Sequence, residues 1–202
     1  MLDRAALALL QPALQAIGRA LVRAGVGADA LTFTAFAFGI AAALAIVLQK
    51  PLLGLVLMLV GRTLDGLDGT VARLTQPTDR GAFLDITLDF LFYASIPLAF
   101  AVADPAANAL PAAVLLAAFI GTGSSFLAFS ALAGKRGLSS AAYPGKGLYY
   151  LGGLTEGTET LLCFVAMCLW PAAFPLMAYV FSALCLLTIG SRLVAGWTLL
   201  RP

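Results

Sequence analysis

Four aspartates, Asp65, Asp68, Asp85 and Asp89, stand in stretches otherwise filled by leucine, alanine, valine and phenylalanine. Ionised groups inside runs that apolar are costly and usually functional. Asp65 and Asp68 are three residues apart and Asp85 and Asp89 four apart. On a helix each pair therefore shares one face, about one turn apart. The short Leu74–Arg80 segment between the pairs makes their helices antiparallel neighbours, so four carboxylates can converge. Together in a partly desolvated site they repel one another and require cations. Oxygen-only ligands suit hard ions such as Mg2+, Mn2+ or Ca2+ rather than zinc. Mg2+ often binds through few carboxylates plus substrate phosphates, which points to phosphoryl chemistry. A purely structural alternative pairs Arg62 and Arg73 with two of the aspartates, which leaves the other two carboxylates unneutralised. Gly66 and Gly69 flank Asp68, and Ala72 follows a turn later. A helix face without side-chain bulk admits a neighbouring helix or a flat ligand, and the sequence leaves both open.

The rest of the chain must hold these groups in place. Of its 202 residues, 61% are hydrophobic and 11% charged, against about 45–50% and about 25% in a soluble domain. The bilayer is the expected solvent. The net charge of +2 and the lack of a basic arm exclude nucleic acid as a partner. There is no histidine, which removes the commonest general base and every Ser–His or Cys–His arrangement. Cys163, Cys168 and Cys185 lie in apolar stretches and read as small core residues.

Hydropathy predicts an all-α membrane protein of six transmembrane helices, each near the about 20 residues that cross a bilayer. They run roughly over Ala30–Leu48, Leu52–Ala72, Phe83–Val102, Ala109–Leu132, Tyr150–Leu169 and Ala173–Ala195. Residues 1–202 form one domain, with a bundle over 29–196. Ahead of it, residues 1–25 carry leucine and alanine on one side together with Arg4, Arg19 and Arg23, which suits an amphipathic helix lying on the membrane surface. Pro12 interrupts this segment, and no small-residue cleavage site follows, so it is not a secretory signal. Six spans put both termini on one side. Arg4, Arg19, Arg23, Arg73, Arg80, Lys135, Arg136, Lys146, Arg192 and Arg201 fall there, and Lys50 stands alone on the other. The positive-inside rule makes the former side, termini and aspartates included, cytoplasmic.

The stretch Asp65-Gly66-Leu67-Asp68-Gly69-Thr70-Val71-Ala72-Arg73, then seven residues, then Gly81-Ala82-Phe83-Leu84-Asp85-Ile86-Thr87-Leu88-Asp89 resembles the signature of the CDP-alcohol phosphotransferase (CDP-alcohol phosphatidyltransferase) family. That pattern fixes eight positions across 25 residues, and all eight match. The six-span outline extends the resemblance over 29–192. It implies Asp65, Asp68 and Asp85 as metal ligands, and Asp89 as the base toward an acceptor hydroxyl that also touches a second metal. Gly69 and Ala72 look like the small residues against which a cytidine nucleotide docks, with Asp65 beside it and Arg73 near the diphosphate or bracing the acids. The implied cofactors are two Mg2+ or Mn2+ ions. The implied assembly is a homodimer with a cytoplasmic active site in each protomer, in the inner membrane if the source is bacterial. There is one departure. Where relatives often read Pro-Asn-x-x-Thr, this chain has Ala28-Asp29-Ala30-Leu31-Thr32. Thr32 is kept and is implied to reach the nucleotide, although a helix-start cap by Asp29 accounts for the segment equally well.

Such an enzyme moves a phosphatidyl group from a CDP-alcohol to an acceptor alcohol with release of CMP; the short six-span chain resembles the phosphatidyl-transferring members, which implies CDP-diacylglycerol rather than a soluble CDP-amino-alcohol as donor. Charge grows on phosphoryl and leaving oxygens, where metals act best. A carboxylate beside cations is a weak base, so Asp89 is better placed to orient the hydroxyl than to deprotonate it early. Two sets of residues are candidates for the acceptor. Lys135, Arg136, Lys146 and Arg192 suit a phosphate, unless they are only positive-inside charge. Glu156 and Glu159 share a face at the start of the fifth span and suit a neutral polyol or an amine, unless Glu156 is a solvated helix start. These two expectations conflict, and the sequence does not choose. A second class of function, a small transporter or channel with a carboxylate cation site, predicts acids near the midplane and inverted repeats. The acids cluster at one interface, and no repeat is visible.

Overall fold

A computed structural model describes residues 2–136 and 153–200, with side chains from residue 11 onward. The helices run α1 Leu2–Arg23, α2 Ala28–Val47, α3 Pro51–Leu74, α4 Asp79–Ala103, α5 Pro105–Lys135, α6 Gly157–Leu169 and α7 Phe174–Leu199, with a 3₁₀ turn at Pro171–Ala173 before α7. No strand occurs among the described residues. The helix boundaries have local causes. At the end of α2 the Gln49 N–H bonds Ile46 and the Lys50 N–H bonds Ala45. Gln49 takes φ 59° to do so, the left-handed residue that closes a helix C-terminus. Pro51 follows as the first residue of α3, where its missing N–H costs nothing. Thr78 caps α4 by accepting from the Gly81 N–H at 3.0 Å. Asp104 ends α4 and caps α5 by accepting from the Ala107 N–H at 3.2 Å.

The six expected spans each correspond to a helix, with differences. By length and composition α2, α4, α5 and the Pro171–Leu199 segment are apolar enough to cross a membrane. The helix α3 is 24 residues long but carries Arg62, Asp65, Asp68 and Arg73. The helix α6 is only 13 residues, because residues 153–156 are not helical and α6 starts at Gly157. Four spans and a shorter apolar helix are therefore what length and composition carry. Pro12 does not end α1, which runs through it.

The main core draws on every helix from α2 to α7. Phe92, Ile96, Leu115, Phe164, Met167 and Phe174 are completely or almost completely buried there. A second cluster, Leu31, Leu67 and Val71, is covered by Leu14, Leu21 and Val22 of α1. With Gly18 these positions make one stripe of α1, and it is laid on α3. The outside is apolar: Leu110, Ile120, Leu176, Val180, Leu187, Val194 and Trp197 are exposed. Patches this extensive are foreign to a protein surface in water and ordinary in lipid.

Candidate active site

The helix α2 packs along both α3 and α4, while α3 and α4 make little direct backbone contact. The short Leu74–Arg80 loop predicts α3 and α4 as antiparallel neighbours. The Arg62–Asp89 ion pair joins the two helices. Asp65 and Asp68 come from α3 and Asp85 from α4, and one carboxylate oxygen of each lies within 4.8 Å of the others. Asp68 is buried at 4% exposure. Its Oδ2 accepts a hydrogen bond of 2.5 Å from the Thr32 hydroxyl of α2. Thr32 is itself buried. Three converging carboxylates form an all-oxygen, anionic donor set that fits a hard divalent cation.

Asp89 stands outside this trio and is bridged to it by Arg62. The guanidinium donates from Nη1 to Asp89 Oδ1 at 2.6 Å and from Nη2 to Asp65 Oδ1 at 2.9 Å. The structural alternative for the arginines therefore applies to Arg62. Arg73 is exposed and donates to Thr70 Oγ1 at 3.1 Å. Asp29 is not a helix cap. Gly27 is the cap residue of α2, without a side-chain cap bond, and Asp29 instead accepts from Arg80 of α4 at 2.5 Å. The reason is position: Asp29 lies in the first turn of α2, facing the start of α4.

The glycines of α3 divide into two kinds. A Cβ on Gly61 would lie 3.0 Å from the Ala35 carbonyl oxygen, and one on Gly54 3.0 Å from that of Ala42. Seven residues apart, these two let α2 and α3 approach closely. A Cβ on Gly69 would meet only the Arg73 guanidinium, at 3.3 Å, and one on Gly66 only Leu14, at 3.7 Å. The face at Gly69 is thus not filled by another helix, whereas Gly66 lies under Leu14 of α1.

The proposed acceptor residues fall in two places, the end of α5 and the start of α6 beside Arg192. Lys135 and Arg136 are exposed at the end of α5, and Lys146 lies outside the described residues. Arg192 is buried on α7, donates to the Thr122 carbonyl of α5 at 2.9 Å and sits 5.6 Å from the Phe126 ring centroid. Glu156 and Glu159 form a reciprocal capping box at the start of α6. Glu156 also accepts from the Gly153 N–H at 3.0 Å, and the Glu156 N–H donates to Glu159 at 3.3 Å. The neighbouring Thr155 and Thr188 hydroxyls are 2.9 Å apart and tie this turn to α7. The sequence offers Arg62 as the partner of one aspartate, and the structure gives it two, Asp65 and Asp89. The signal for Asp65 is present in the sequence, since Arg62 precedes it by three residues on one helix face.

Comparison with known proteins identifies the family. The family model for CDP-alcohol phosphatidyltransferase matches residues 26–194. The chain is 50% identical over 201 residues to "Inner membrane protein YnjF" of Escherichia coli (strain K12), covering all of this chain and 98% of that protein. It is 38% identical over 84 residues to the archaetidylinositol phosphate synthase of Pyrococcus horikoshii, 41% of this chain and 45% of that one. Two crystal structures of Mycobacterium tuberculosis phosphatidylinositol phosphate synthase (PgsA1) share the fold. The one with CDP-DAG bound gives a TM-score of 0.74 at 21% identity over 92% of this chain and 94% of that chain. The one in complex with manganese and citrate gives 0.66 at 22% identity over 92% and 89%. None of this favours the transporter alternative. The chain belongs to the CDP-alcohol phosphatidyltransferase family, and it is an integral membrane transferase.

Proposed function

We propose that this enzyme transfers the phosphatidyl group of CDP-diacylglycerol to the hydroxyl of a phosphate-bearing alcohol, releasing CMP, with Mg2+ or Mn2+ held by Asp65, Asp68 and Asp85. The observation that carries it is the convergence of those three carboxylates within 4.8 Å beside the open face at Gly69. The acceptor oxygen forms a bond to the phosphorus that bears the lipid, the bond from that phosphorus to the CMP oxygen breaks, and the hydroxyl proton leaves. When bound, the metal neutralises charge on the diphosphate and on the departing CMP. The protein's share is positioning. Thr32 fixes Asp68. The open surface of Gly69 and the adjacent Ala72 admit the nucleotide, with Asp65 beside it. Arg73, on the same end of α3, reaches the diphosphate by leaving Thr70. Asp89 orients the acceptor hydroxyl and takes its proton as the bond forms.

The acceptor's phosphate is supported by the state of the two glutamates. Glu156 and Glu159 spend their carboxylates on backbone N–H groups of the α6 cap. Arg192, close to Gly153 and held against α5, is then the better recognition group, together with Lys135, Arg136 and Lys146. In the membrane, α3 and α6 complete a set of six spans with the four apolar segments. The polar stripe of α1, with Arg19 and Arg23 exposed, lies at the cytoplasmic interface. The termini and the site face the cytoplasm, by the placement of Lys and Arg. The relative in E. coli, called an inner membrane protein, supports that membrane as the location. A homodimer with one site per protomer completes the proposal, and light scattering in detergent tests it by a mass twice that of the chain. The substrate test is product lipid analysis by mass spectrometry. Purified protein is given CDP-diacylglycerol and, in parallel, glycerol phosphate, inositol phosphate, inositol, serine or choline. A new lipid only with a phosphorylated alcohol is expected. Product with serine or inositol alone contradicts the acceptor class, and no product with any alcohol contradicts the transfer itself.

A further inference from the structure

Arg62 is the charged group of the site to which the eight-position pattern gives no part. Its guanidinium joins α3 to α4 by donating to Asp89 at 2.6 Å and to Asp65 at 2.9 Å. It is held firmly. The side chain is 14% exposed. Its guanidinium carbon lies 4.4 Å from the Phe92 ring centroid and 5.8 Å from that of Tyr93, a cation stacked on aromatic faces. Phe92 cannot move aside easily. It is buried, packs edge-on against Phe164 at 6.3 Å, and rests on Gly39 of α2, where a Cβ would lie 2.6 Å from its ring. A guanidinium is permanently charged, and its planar fork suits two carboxylates at once.

The four carboxylates are thereby sorted. Asp65, Asp68 and Asp85 each offer an oxygen within 4.8 Å of the others, and Asp89 is not in that group. Arg62 holds the Oδ1 of Asp89 and the Oδ1 of Asp65, and Asp65 keeps its second oxygen. A divalent ion on Asp89 would have to sit beside a fixed like charge in a poorly solvated gap. We infer that Arg62 serves as the resident cation of the Asp65–Asp89 side, so that without nucleotide the chain holds one divalent ion, on Asp65, Asp68 and Asp85, and Asp89 ligates none. The inference rests on the metal site of the proposed function.

The test counts Mn2+ per chain by elemental mass spectrometry after equilibrium dialysis of the detergent-purified protein, without nucleotide. The expected counts are one for the native chain, one for Asp89→Asn, none for Asp68→Asn and two for Arg62→Met. Two ions on the native chain, a lower count in Asp89→Asn, or a single ion retained by folded Arg62→Met would each overturn it. If Arg62→Met does not fold, the native and Asp89→Asn counts decide alone. The two levels of the account separate cleanly: a native chain with no bound Mn2+ sinks the proposed metal site as well, whereas two ions sink only the role of Arg62.

Discussion

Asp68 shows what a single residue needs before it can ligate a metal. It is buried, and the Thr32 hydroxyl holds one of its oxygens at 2.5 Å. Removing such a supporting contact typically weakens a metal by about 10–100-fold. Thr32→Val is therefore expected to lower Mn2+ affinity within that range in a titration, with the fold intact. An unchanged affinity would mean that Thr32 contacts something other than Asp68. The aspartates were legible because spacing alone places each pair on one face. The Thr32 contact was not, since it joins residues 36 apart in sequence. Nothing in α2 marks Thr32 as facing α3 rather than a ligand. Arg62 was half legible: its partner Asp65 lies one turn away, but its reach across to Asp89 depends on how far apart α3 and α4 stand.

At the scale of the helix, the glycines of α3 predict opposite phenotypes. Gly61→Ala places a methyl 3.0 Å from a backbone oxygen of α2, which cannot yield cheaply. Overpacking of this kind costs about 1–3 kcal/mol, and a lower melting temperature in detergent is the expected result. Gly69→Ala meets only the flexible end of Arg73. It should melt like the native protein yet bind CDP more weakly in calorimetry. A normal CDP affinity would remove Gly69 from the nucleotide site. The start of α6 gives a third case. A lost helix cap costs about 0.5–2 kcal/mol, so Glu156→Ala should lower the melting temperature and leave the acceptor KM unchanged. The reverse pattern would make Glu156 a recognition residue. Sequence reading saw that Glu156 and Glu159 share a face, but three-residue spacing serves a ligand and a capping box alike. The Gly153 N–H and the Thr155–Thr188 link, which come from the fold, favour the cap. Element positions were otherwise legible from apolar runs and breakers. The α6 start was not, because an apolar run does not reveal that residues 153–156 stay out of the helix.

The whole molecule is a bundle whose apolar exterior suits lipid and whose charges gather at one end of α3 and α4. Bringing carboxylates together there leaves repulsion that a bound ion relieves. Ligands that bind only the folded state stabilise it by about 2.7 kcal/mol at 100 times Kd. Saturating Mn2+ should therefore raise the melting temperature of the native protein, with no such rise in Asp68→Asn. The most direct test of the central claim is CMP release by the purified protein from CDP-diacylglycerol, with the acceptor panel above, compared with Asp85→Asn. The account predicts release that needs both Mn2+ or Mg2+ and an acceptor, and that falls by about 100–1000-fold in the folded variant, as when an electrostatic group of an active site is lost. Equal release in chelator, or from Asp85→Asn, would contradict it.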